Sequence, residues 1–138
     1  RYLLTGDVEA ARDIQKDLGR YESGGFVALT HLWRLNISTE IALYEGRGEA
    51  ALTQFEAGVK RFMSTRLIRA QNMRVEARFL EARASLAAAA ANPADAPALL
   101  RQATRLADLL GRERPAFARA LGALWADGTE ATLARYNG

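Results

Sequence analysis

The 138-residue chain contains no cysteine. Disulfides, thiol nucleophiles and thiolate metal ligands are therefore excluded, and a reducing cytoplasm is the expected setting. There is a single histidine, His31. One imidazole holds a transition metal only with carboxylates close by, and no supporting spacing is visible, so no metal or other cofactor is expected. No apolar run reaches the roughly 20 residues that cross a bilayer. The stretch 87–91, all alanine, is far too short. No segment sustains a two-residue alternation of apolar and polar positions, so no sheet is expected. An initiator methionine and a signal-peptide shape are also missing; RYLLTGDVE reads as a helix entered midway, and a piece of a longer protein is expected.

The length suits one domain, which at this size buries roughly two-thirds of its extended-chain surface. Hydrophobic residues make up 49% of the chain, but many are alanine. Alanine favours helices and close helix approach while burying little area, so Leu, Phe, Trp and Ile must supply the core. The net charge is +3 and nearly all the cations are arginine. Nucleic-acid binders concentrate more charge on one surface, so nucleic acid is not the expected partner.

The organising stretch is 66–91, RLIRAQNMRVEARFLEARASLAAAAA, which has neither Pro nor Gly. Leu67, Met73, Leu80 and Ala84 recur near helical spacing, and a helix about 37 Å long follows from 1.5 Å per residue. Shorter helices surround it. Asp7 is placed to cap a helix over 7–22 with the stripe Val8, Ala11, Ile14, Leu18 and Tyr21. Ser23-Gly24-Gly25 stops it. A helix over 27–45 carries Leu29, Trp33, Ile37, Ile41 and Tyr44 on one side. Gly46-Arg47-Gly48 turns the chain into 49–63, with Ala51, Leu52, Phe55, Val59 and Phe62. Pro97 suits the first turn of a helix over 96–111, bearing Leu99, Ala103, Leu106 and Leu110. Two further helices are expected over 115–127 and 129–136, the first with Phe117, Leu121, Leu124 and Trp125.

The turns share a pattern: TGDVEAARDI from Thr5, GRGEAALTQF from Gly46 and ADGTEATLAR from Ala126. A degenerate copy spans 92–100, giving intervals of about 40, 46 and 35 residues, near the period of helix-pair repeats. The pattern resembles the tetratricopeptide repeat. The resemblance implies an all-α fold in which antiparallel helix pairs stack as a tetratricopeptide-like right-handed superhelix, a fragment of an α-solenoid. YLLTGDVEAARDI, QNMRVEARFLEARASLAAAA and LLRQATRLADLLGRERPAFARALGALWADGTEATLA together resemble the C-terminal helical region of large multidomain bacterial serine/threonine protein kinases. The Arg-x-Glu-Ala step from Arg74 to Ala77 and the Glu113-Arg114-Pro115 turn carry most of that likeness. It implies a regulatory, non-catalytic segment of a parent kinase. A helical sensor domain of an ATPase-type transcription regulator is the alternative. A kinase needs a Gly-rich phosphate loop, a strand Lys, a catalytic-loop Asp and a metal-binding Asp, and this chain has none of those motifs. No catalytic residue is therefore assigned.

In such stacks the first helix of each pair lines a concave surface, here 26–45 and 66–91. Their outward polar positions, His31, Arg34, Ser38, Arg74, Arg78 and Glu81, form the candidate groove for a protein or peptide partner. That partner could be the parent's own kinase or ATPase domains, and a homodimer is also open. The run Lys60, Arg61, Arg66, Arg69, Arg74, Arg78 and Arg83 could receive an anion, diluted by Glu76 and Glu81. Arg78 and Glu81, three apart, could interact as a surface ion pair. Glu40 with Glu45, and Glu76 with Glu81, are five apart and do not converge as acid–base pairs. Phe62, Phe79 and both tryptophans are expected in helix contacts.

Overall fold

A computed structural model describes residues 6–19, 27–63 and 71–113. The helices expected over 115–127 and 129–136 lie outside them, as do Tyr21, Leu67 and the start of the organising stretch. The described residues form five helices and no strand: α1 (Val8–Gly19), α2 (Val27–Tyr44), α3 (Gly48–Met63), α4 (Gln71–Ala91) and α5 (Ala96–Gly111).

Local chemistry sets the joints. The Asp7 carboxylate accepts from the Ala10 backbone N–H at 3.0 Å, satisfying a donor left open in the first turn of α1. Gly46 ends α2 at a φ of 72°, where a side chain would be strained. Beyond α4, Asn92 accepts from the Ala94 N–H and donates to Asp95, which shapes the turn into α5. Pro97 sits in the first turn of α5, where its missing N–H costs nothing.

Each helix packs on the next in chain order, and α2 also reaches α4. The contacts fix the directions. Ala42 of α2, Ala51 and Leu52 of α3, and Ala84 and Ala88 of α4 form one cluster. Leu35, Phe55, Ala77 and Leu80 form the next. Moving between these clusters, α2 and α4 run backwards while α3 runs forwards, so α3 is antiparallel to both. Val75 meets Leu110 at one end of α4, and Ala89 meets Ala96 and Leu100 at the other, so α5 is antiparallel to α4.

This sandwiching explains the alanine content of α4. Val75, Ala77, Leu80, Ala82, Ala84, Ser85, Ala88 and Ala89 are all buried, on two faces. Small side chains let both neighbours approach. At Gly48 the approach leaves no room for a side chain: a Cβ there would run into the Ala87 backbone carbonyl.

The face of α2 differs from the expected stripe. Its buried positions include Thr30, Leu32, Leu35, Thr39, Ile41 and Ala42. Trp33 is 46% exposed and Tyr44 54% exposed, so neither is a core residue among the described residues. The buried face at 32, 35, 39 and 42 contains a threonine that reads as polar in sequence, and the two aromatics drew the stripe off by one position. Phe62 is fully buried, and Phe79 packs against Val75 and Leu110.

Candidate functional site

A groove of about 630 Å³ runs over α4 between α3 and α5. Val59 comes from α3; Arg74, Ala77, Arg78 and Glu81 come from α4; Arg101, Gln102, Arg105, Leu106 and Leu109 come from α5. Positions 74, 77, 78 and 81 share one face because helical neighbours recur three and four residues apart. The same periodicity aligns 101, 102, 105, 106 and 109. The apolar residues make a floor, and four guanidinium groups face one lining carboxylate, Glu81.

At one end of the groove the Glu113 carboxylate is 8% exposed. It accepts from Arg74 Nε at 2.8 Å and Nη2 at 3.0 Å, from Arg78 Nη1 at 2.5 Å and from Gln71 Nε2 at 3.0 Å. The hydrogen bond from Arg74 leads the causes that pull its pKa down to about 2, against the opposing effect of burial. Charge-assisted bonds of this fork geometry are the stronger class. They tie the end of α5 to the start of α4. Arg78 therefore pairs with Glu113, not with Glu81 as its spacing suggested.

Glu81 sits in the middle of the groove. Burial, the largest cause, raises its pKa, offset by a hydrogen bond from Gln102 Nε2 at 3.0 Å. Glu56 raises it further, whereas Arg105 and Arg78 lower it.

The six expected groove residues divide. Arg74, Arg78 and Glu81 line the groove together. His31, Arg34 and Ser38 are not in its lining. His31 Nε2 lies 3.0 Å from the Gly58 carbonyl oxygen, where it donates to α3. Ser38 Oγ donates to the Leu35 carbonyl at 2.9 Å within its own helix. Arg34 is half-buried on α2. Of the basic run, Arg66 and Arg69 lie outside the described residues, and Arg83 pairs with Glu40 while stacking over the Phe79 ring at 5.5 Å. The groove residues that sequence reasoning missed are Arg101, Gln102 and Arg105. Their signal was present: an arginine pair four apart beside the Leu106 and Leu110 stripe.

Among the described residues no group of three or more His, Asp or Glu side chains is arranged to hold a metal. No described helix is long and apolar enough to cross a membrane. No family model, curated protein or solved structure matches the chain.

Proposed function

We propose that the chain is a non-catalytic protein-interaction module whose α3–α4–α5 groove receives a segment of a protein partner. One observation carries this reading: an open groove with an apolar floor and a fringe of guanidinium groups, the composition of a recognition site. Within its lining Arg74 and Arg78 are committed to ion pairing with Glu113, and Glu81 is held by Gln102. The order of packing, each helix on the next, supports a tetratricopeptide-like right-handed stack. The resemblance in sequence supports a regulatory role in a cytoplasmic bacterial serine/threonine protein kinase, with the kinase chemistry elsewhere in the parent.

Selection of displayed random peptides on the immobilised chain tests the module. Leu109→Gln, which puts a neutral polar side chain into the floor of the groove, serves as the control. Peptides of any charge that bind the parent chain and lose about tenfold or more in affinity on the variant support the reading. Peptides indifferent to the change, or none at all, reject it.

A further inference from the structure

We infer that the segment received by this groove is acidic, seating a carboxylate or phosphate on Arg101 and Arg105 with an apolar side chain beside it on Val59, Leu106 and Leu109. The inference rests on the groove being the partner site.

The charge pattern points to it. Arg12, Arg47, Arg74, Arg78 and Arg83 each hold a carboxylate. Arg101 and Arg105 form no ion pair among the described residues, although both line the groove. They lie one helical turn apart, where like charges repel. Asp108, three residues beyond Arg105, does not pair with it; a cation placed before its anion along a helix is the poorer orientation. The carboxylate in the groove lining, Glu81, is already bound by Gln102. The α5 side of the groove thus presents two exposed guanidinium forks above an apolar floor. Guanidinium forks match the two oxygens of a carboxylate or phosphate. An anion there would relieve the repulsion, while adjacent apolar side chains would cover the leucines. A nucleic acid fits less well, because Glu81 lines the groove and Glu56 of α3 is close enough to act on Glu81 electrostatically.

Fluorescence anisotropy at low salt tests the inference with four labelled probes: a peptide alternating Glu and Leu, its Gln counterpart, a phosphoserine version, and a single-stranded oligonucleotide. Arg105→Glu and Arg105→Gln are compared with Lys16→Glu, which matches the charge change of Arg105→Glu at an exposed position on α1. Either anionic peptide should bind about tenfold or more tighter than the Gln peptide, and which one leads identifies the source of the anion. The preference should fall about tenfold in both Arg105 variants and stay within about twofold in Lys16→Glu. Equal binding of the Gln peptide, or a preference untouched at Arg105, overturns the inference yet leaves the module standing if Leu109→Gln still weakens binding about tenfold or more. Tighter binding of the oligonucleotide overturns it as well. Failure of every probe, together with an empty peptide selection, rejects the module itself.

Discussion

Replacing Glu113 with Gln removes one charge from the node that joins α4 to α5. In the folded chain this carboxylate titrates at about 2, against an ordinary 4.5. Full linkage of that shift would correspond to about 3 kcal/mol. Arg74 and Arg78 are 29% and 25% exposed at the mouth of the groove, so water screens the charges. A cost of about 1–2 kcal/mol is the better expectation. The sign follows from the direction of the shift. A carboxylate with a depressed folded pKa stabilises fully above its unfolded value of 4.5, and that stability is lost as pH falls through about 2. Urea denaturation of parent and Glu113→Gln should therefore differ by about 1–2 kcal/mol near neutral pH, and the difference should shrink steadily below about pH 4.5. A difference independent of pH, or none near neutrality, would refute the argument that ionised Glu113 holds the two helices together.

Glu81→Gln removes a carboxylate whose burial opposes ionisation. Because its folded pKa is raised, the ionised form costs stability above that pKa. The variant should have a higher urea midpoint at neutral pH, converging on the parent as pH falls towards 4.5. It should also bind the acidic probe more tightly; weaker binding in anisotropy would count against a cationic groove. Gly48→Ala and Gly58→Ala should part company in thermal denaturation. At Gly48 the new methyl meets rigid backbone of α4, costing about 2 kcal/mol or more despite better helix propensity. At Gly58 it meets the Leu35 Cδ1 at 2.6 Å, the far end of a flexible side chain, and the change should stay within about 1 kcal/mol. Phe55→Ala, at a fully buried ring between α2 and α4, should cost about 3–5 kcal/mol in urea unfolding.

The helical class was legible in the sequence because local signals and long-range packing agree. Asp7 caps where a capping residue belongs, Gly46 turns where φ is positive, and Pro97 opens a helix. The face of α2 was less legible. Thr39 is buried and Trp33 exposed, a reversal that depends on which neighbours the helix meets and not on its own periodicity. Half of the candidate residues, His31, Arg34 and Ser38, stand apart from the groove lining for a similar reason. His31 and Ser38 find backbone partners through geometry that helix spacing does not encode. Glu113 read as part of a turn, because its cationic partners stand on α4, far back in the chain. Arg101 and Arg105 went unread because only the packing of α5 on α4 brings them into one groove with Arg78.

The most direct test of the account follows backbone amide chemical shifts while the acidic peptide is titrated into the labelled chain. Shifts should cluster at residues 74–81 and 101–109, with α1 and the outer face of α2 unmoved. Shifts gathered around exposed Trp33 and Tyr44, or spread evenly over the helices, would contradict it.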